Sequence, residues 1–363
     1  MNDLNKELGL ASPYNQTISL NDSLVRTLLG KVTAATTISL SGAYGLSSTS
    51  KFTAANTQNL NIWNVAVAGG WNKSSAVEYT IPAGVYIWSD STSLPALETG
   101  GTFPGGLTII NNGYIMGKGG QGGDCLGTNG VRNTEAGGTA IHITTNVTID
   151  NSAGYIGGGG GGGGQGYGIG GGGGGGAGGG RGGRTQDGIG SYYPPGGVGG
   201  AIGQTGGSGP GQYEAGTGKT TNDGGGAGGA GGGIWQYGVQ KVLTYDNYSG
   251  GGGGRIMPGA GGVHRTINTS GLSGVLVAWG GDGGAGGAAG SNGNVNGGKG
   301  AGGGGGGWGA SGGTGYYLSG NGGTTASPGA AGGKAINVVN NGVTYTVTWT
   351  GGFPSARVFG AIS

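Results

Sequence analysis

Glycine occupies 107 of the 363 positions, much of it in unbroken runs. Nothing else in the chain restricts its fold so strongly. A stretch such as Gly157–Gly164 has no side chains to bury. Glycine also loses more backbone freedom on folding than any other residue. One ordered solution remains. Extended three-fold helices of the polyproline-II type make no internal hydrogen bonds. Without Cβ atoms they can lie side by side and bond to one another through N–H and C=O. The runs that suit such a bundle are Gly157–Gly164, Gly170–Gly176, Gly224–Gly233 with alanines, Gly250–Gly254, Gly283–Gly290 with alanines, and Gly302–Gly307. They alternate with aromatic-rich segments, unlike the single long spacer of a flexible tether.

Composition removes several other classes. Collagen needs a strict Gly-X-Y period and much proline, whereas this chain has 10 prolines. Disordered chains combine high net charge with few aromatics; here the net charge is +2, with 16 Tyr and 7 Trp. That balance gives no electrostatic footprint for nucleic acid, and Arg181-Gly-Gly-Arg184 is a single RGG-like copy. No stretch is apolar for long enough to span a membrane as a helix. Met1-Asn2-Asp3-Leu4-Asn5-Lys6 shows no apolar signal-peptide core. Cys125 stands alone, so no intrachain disulfide forms, which suits synthesis in a reducing cytoplasm.

The expected organisation has four parts. Residues 1–50 form a small N-terminal helical module. In it Leu24, Val25, Leu28 and Leu29 follow a helical period between Asn21 or Asp22 as N-cap and Gly30 as C-terminal stop. A second short turn is expected around Tyr44. This is too little apolar material for a separate core, so Leu24, Val25, Leu28, Leu29 and Tyr44 are expected to dock the chain onto another protein. Residues 51–156 read as a β-rich base. The apolar run from Asn61 to Ala68 is counted within it, Val77–Ile81 alternates, and Val85–Trp88 does so less cleanly.

Residues 157–334 form the glycine-rich body, and 335–363 close the chain as a β-like segment in which Val343–Trp349 alternates. Two internal echoes link these parts. Ile110-Asn111-Asn112-Gly113-Tyr114-Ile115-Met116-Gly117 resembles Ile149-Asp150-Asn151-Ser152-Ala153-Gly154-Tyr155-Ile156-Gly157 with an insertion. Gly137-Gly138-Thr139-Ala140-Ile141-His142-Ile143 resembles Gly332-Gly333-Lys334-Ala335-Ile336-Asn337-Val338.

Signals for chemistry are poor, and no catalytic residue, metal ligand or cofactor site is assigned. His142 reads as a strand residue and His264 as an exposed loop residue. No HxxxH, CxxC or acidic metal loop occurs. Gly216-Thr217-Gly218-Lys219-Thr220 looks like the end of a phosphate-binding loop, but Tyr213 stands where that motif needs glycine. The acidic residues Asp187, Glu214, Asp223, Asp246 and Asp282 are scattered singly, so nothing points to a carboxylate pair.

The segments between glycine runs carry Tyr192, Tyr193, Tyr213, Trp235, Tyr237, Tyr245, Tyr248, Trp308, Tyr316 and Tyr317. Tyr and Trp offer large amphipathic contact area at small entropic cost, with Ser, Gly and Asn as adaptable neighbours. Loops on a rigid scaffold are where recognition usually sits, and these aromatics are the expected recognition contacts. The competing reading has them shield the ends of the bundle. For the purely apolar Val275-Leu276-Val277-Ala278-Trp279, burial is favoured.

These residues resemble a known family. Ile18-Ser19-Leu20-Asn21-Asp22 through Arg26-Thr27-Leu28, then Thr37–Ser41 and Tyr44-Gly45, resembles a short N-terminal module of phage tail proteins. In relatives the second element often reads Ser-Met-Ser-Asp-Phe-Tyr-Gly, from which this chain departs at Gly42-Ala43. Thr102 to Gly120, Asn146-Val147-Thr148-Ile149 running into the octaglycine, and Trp349 to Ala361 resemble the glycine-rich phage tail-fibre or tail-tip receptor-recognition adhesins.

The resemblance implies an elongated, mostly β virion protein with stacked polyglycine helices and variable recognition loops. Its implied partners are other phage tail or baseplate proteins and, on the host, an outer-membrane protein or surface glycan. It implies a place on the virion tail after synthesis in the host cytoplasm. Both a homotrimer and a monomer at a fibre tip fit the chain. A purely structural collar, tail-tip or capsid-surface fibre is the main competing function, and a depolymerase is a third.

Overall fold

The structure, a computed structural model, describes residue 26 and residues 49–125, 131–132, 134–165, 288–293, 295–296, 299–300, 302–318, 324–339 and 342–363. Among these, three sheets wind around one core. The first turn of chain comprises β1 (Thr49–Thr53), β2 (Thr57–Gln58) and β3 (Leu60–Asn61). The helix α1 (Ile62–Ala68) follows, and then β4 (Ala76–Ile81), β5 (Tyr86–Trp88) and β6 (Leu97–Glu98). The third turn has β7 (Leu107–Asn111) and β8 (Tyr114–Met116); a hairpin of β9 (Asp124–Cys125) and β10 (Val131–Arg132) intervenes before β11 (Ile141–Ile143).

The fourth turn has β12 (Val147–Asp150) and β13 (Tyr155–Gly157). Two further hairpins come next, β14 (Val295–Asn296) with β15 (Lys299–Gly300), and β16 (Gly315–Leu318) with β17 (Thr324–Ser327). The chain then returns through β18 (Ile336–Val338), β19 (Val347–Trp349) and β20 (Val358–Phe359).

The sheet orders are β1-β4-β7-β12-β19, β2-β5-β8-β13-β20 and β3-β6-β11-β18. Every pairing within them is parallel. Ile362 extends the last sheet by a parallel bridge to Ile336. The chain visits the three sheets in rotation, which makes this part a three-sided parallel β-solenoid.

Alternation explains why. In β4 the inward residues Val77, Tyr79 and Ile81 are buried, as are Leu107, Ile109 and Asn111 in β7. Parallel registry stacks like on like: Leu60, Leu97, Ile141 and Ile336 form one column, and Ile87, Ile115, Ile156 and Val358 another. Each coil thereby buries what its neighbour leaves open.

Both internal echoes are coils stacked on coils. Ile141 pairs with Ile336 and Ile143 with Val338, in the register that the glycine-led echo gives. In the longer echo, Ile109, not Ile110, lies opposite Ile149, whereas Tyr114 lies opposite Tyr155. The insertion therefore falls in the turn Asn151–Gly154.

Two β readings need correction. Residues 62–68 are helical: the Asn61 side chain accepts from Asn64 N at 2.9 Å, and Ile62 and Ala66, four apart, supply the buried face. Cap and spacing outweigh the β-branched composition. In Val343–Trp349 only Val347–Trp349 is strand, and Val343 is exposed.

The glycine segments pack beside the solenoid through main-chain bonds at every third residue. Gly117, Gly120 and Gly123 donate to Gly157, Gly160 and Gly163 O at 2.8–2.9 Å. Gly303, Gly306 and Gly309 donate to Gly164, Gly161 and Gly158 O, while Gly159 and Gly162 donate to Gly138 and Glu135 O. Gly161 and Gly164 donate to Ala310 and Gly313 O, and Gly333 and Ala330 to Gly159 and Gly162 O. The segment 157–165 is thus bonded to neighbours on several sides. Its glycines cannot be replaced freely: a Cβ on Gly159 would lie 1.8 Å from Lys118 O.

Candidate functional site: the far end of the glycine layer

The glycine segments have two ends. Gly117, Gly138, Gly157 and Gly333 lie at the solenoid: Gly157 ends β13, and the others stand one to three residues from β8, β11 and β18. Hydrogen bonds and close approaches bring Gly123, Thr134, Gln165, Gly303, Gly315 and Ser327 together at the opposite end. From that far end the three antiparallel hairpins β9–β10, β14–β15 and β16–β17 project. The chain also departs there, after Gln165, into residues 166–287. The described chain resumes at Ala288, whose carbonyl accepts from Gly307 N near the solenoid end.

The base of the layer is held by side chains. Trp308 lies in the turn before Gly309, whose φ is +63°. Its ring rests on Gly157, where a Cβ would come within 2.0 Å of Cε3, and it packs with Met116. Tyr86, Tyr114 and Tyr155 form an aromatic stack beside it, with centroids 5.1 and 5.6 Å apart, and the Arg357 guanidinium lies 4.8 Å from the Tyr155 ring centre. On another side, Thr92 Oγ1 donates to Glu135 Oε1, and Gln121 N donates to Glu135 Oε2 at 3.3 Å. Burial pushes the Lys118 amine down, opposed by the carboxylates of Glu135 and Asp90.

The expected receptor contacts distribute unevenly. Trp308 is fully buried and packs with Met116 at the base of the layer. Its position in a tight turn against the solenoid is the physical reason. Tyr316 is half-buried on β16 at the far end, and Tyr317 is its neighbour on the same strand. Tyr192, Tyr193, Tyr213, Trp235, Tyr237, Tyr245 and Tyr248 lie outside the described residues, as do Leu24, Val25, Leu28, Leu29 and Tyr44.

All three hairpins at the far end escaped the sequence reading, and two of them carry turn signals. These signals are Asn129-Gly130 between β9 and β10, and the two-residue loop Gly297-Gly298 between Asn296 and Lys299. Such turns favour hairpins, but the abundance of glycine conceals them.

His142 sits on the outer face of β11 between Glu98 and Asn337. Burial lowers its pKa most; Glu98 opposes this and Lys334 adds to it. Among the described residues no three His, Cys, Asp or Glu side chains gather as a metal site.

That arrangement is the architecture of a structural protein, in which a solenoid carries a glycine-rich layer and the layer carries hairpins. The family model of the phage tail fibre adhesin Gp38 matches residues 47–228, half of the chain, and the chain belongs to this family of structural phage adhesins. It is therefore a component of the phage virion tail. A solved structure, described as the gp37-gp38 adhesin tip complex of the long tail fibre of bacteriophage S16, is similar at 19% identity and a TM-score of 0.40, over 94% of this chain and 92% of that one. No curated protein matches the chain.

Proposed function

We propose that this protein is the receptor-binding element of a tail fibre, built as an elongated rod of polyglycine-II-type helices that holds recognition loops away from the solenoid. The carrying observation is that the three described hairpins leave from the end of the glycine layer remote from the solenoid. Bonding at every third residue supports three-fold extended helices. At about 3.1 Å per residue, residues 157–165 would set the loops about 25 Å from the base. The solenoid half would face the fibre, and an outer-membrane protein or surface glycan would be met at the loops. Affinity would come from burial of aromatic side chains, with no bond made or broken in the receptor.

Binding of the purified protein to intact permissive cells tests this reading. A variant with Tyr192, Tyr193, Trp235 and Tyr237 replaced by Ala is expected to fold, to assemble on the fibre, and to lose adsorption. Preserved adsorption in that variant would remove these loops from recognition. Failure of both proteins to bind any permissive host would favour a purely structural tail component. Release of soluble sugar from host polysaccharide would favour a depolymerase.

A further inference from the structure

The outer faces of the three solenoid sheets differ in chemistry. One carries the polar row Glu78, Thr108, Thr148 and Thr348, and another the row Asn61, Glu98, His142 and Asn337. The sheet β2-β5-β8-β13-β20 is aromatic instead. Ile87, Ile115, Ile156 and Val358 point into its core, so their chain neighbours point out. Parallel register sets those neighbours in two rows that cross the coils. The first runs Asn56, Tyr86, Tyr114, Tyr155, Arg357, and the second Gln58, Trp88, Met116, Gly157, Phe359.

The first row is built as a shelf. Tyr86, Tyr114 and Tyr155 are half-buried, and successive rings lie at 18° and 8° in an offset stack. Asn56 stands exposed at one end; its Oδ1 accepts from Tyr86 N at 2.9 Å, which leaves the side-chain NH2 to donate. Arg357 closes the other end, fixed by donation from Nη1 to Ala153 O at 2.7 Å and by its seat over Tyr155. Trp308 rests on Gly157 and packs with Met116 in the second row, so it forms a wall along one side.

We infer that this shelf binds an extended oligosaccharide laid across the coils, with one sugar to each tyrosine. Each sugar offers an apolar C–H face and a set of hydroxyls. Tyrosine rings match the first, and phenol, amide and guanidinium groups match the second. The period selects the ligand. Ring centres repeat at 5.1 and 5.6 Å, close to the advance of one pyranose in an extended chain. A β-strand lying along the row would return a side chain to the same face only every ~6.7 Å, and a polyproline-II chain every ~9 Å. An α-helix has a suitable pitch of about 5.4 Å but a width of about 10 Å, more than the roughly 7 Å between neighbouring rows. The shelf is independent of recognition at the far end of the glycine layer, because all its residues belong to the solenoid flank.

Calorimetry on the full-length protein tests the shelf, with oligosaccharides of graded length cut from the surface polysaccharide of a permissive host as the probe. Affinity should rise until the chain spans the three rings and then level off. Tyr86→Phe/Tyr155→Phe keeps the stack and removes two hydroxyls; it should weaken binding about tenfold at an unchanged unfolding midpoint. Tyr114→Ala should abolish binding, and where that variant is too unstable to measure, the Phe variant decides alone. The loop variant lacking Tyr192, Tyr193, Trp235 and Tyr237 should bind the oligosaccharides as the unaltered protein does, so this inference and the receptor reading fail separately. No binding by the unaltered protein, or full affinity in the folded Phe variant, would overturn the shelf. Tyr114-dependent capture of an outer-membrane protein without oligosaccharide binding would overturn it in favour of a protein contact.

Discussion

The side-chain amide of Asn111 donates to Oδ1 of Asn151 at 2.7 Å, one coil away, and both residues are buried. Asn111 Oδ1 accepts from Gly113 N at 3.1 Å, and its amide also reaches Tyr155 O at 3.2 Å. Asn151 in turn donates to Arg357 O at 3.5 Å, so the ladder continues toward the last coil. These amides satisfy main-chain groups at the corner between the first two sheets, where the strand ladder ends.

Asn111→Leu should therefore destabilise the protein out of proportion to the volume changed. It strands the Gly113 N–H, the Tyr155 carbonyl and the Asn151 oxygen, and each unsatisfied buried group costs about 1–3 kcal/mol. Denaturant unfolding of the full-length protein measures this. The double replacement Asn111→Leu/Asn151→Leu should cost less than the sum of the two single changes; strict additivity would show that the two amides are not coupled.

Gly159→Ala should disrupt the glycine layer. The new Cβ would stand 1.8 Å from Lys118 O, a main-chain atom that cannot rotate away. Overpacking a tight core costs about 1–3 kcal/mol even where neighbours can shift, and here the neighbours are backbone. Ala330 and Ala331, by contrast, are half-buried and exposed at the margin of the layer, where a methyl group is accommodated. Limited proteolysis should show cleavage within 117–165 in Gly159→Ala and resistance in Ala331→Ser. Equal resistance of the two proteins would refute close packing at Gly159.

Much of this architecture was legible in the residues. Val77–Ile81 alternates and forms β4, and the echo of 137–143 in 332–338 is a parallel strand pair. The glycine segments bond to one another through main chain at every third residue, which the absence of Cβ permits. The solenoid itself was harder to read, because its strands are two to six residues long and their alternation barely repeats before a corner. Helix α1 was concealed by Ile62, Val65 and Val67, whose β-branched side chains mimic a strand. At the candidate site, aromatic identity separated core from loop poorly. Trp308 follows a glycine run in the same way as the other aromatics, and only its tight turn against Gly157 and Met116 makes it core.

Trp308→Ala is accordingly expected to act on stability and only indirectly on host binding. Removing a fully buried Trp costs about 3–5 kcal/mol. Trp308→Phe should cost much less, since Nε1 has no hydrogen-bond partner among the described residues and the ring volume is largely kept. Thermal unfolding and cell adsorption measured on both variants separate the two roles. A stable Trp308→Phe protein that adsorbs normally fits a packing residue; one that is stable but fails to adsorb would restore Trp308 to the receptor contacts.

The pH dependence of stability should carry the signature of His142. Burial on β11 depresses its folded pKa below the ordinary value of 6.5. Between that depressed value and the unfolded one, the unfolded chain binds more protons, so stability rises with pH across this window. The contribution is complete above the unfolded pKa and is lost as pH falls through the folded one. Acidification from pH 7 to 5 should lower the unfolding midpoint, and His142→Gln should flatten that slope. Glu98→Gln should steepen it, because Glu98 is the group that opposes the depression. A slope unchanged by His142→Gln would assign the acid sensitivity to other groups.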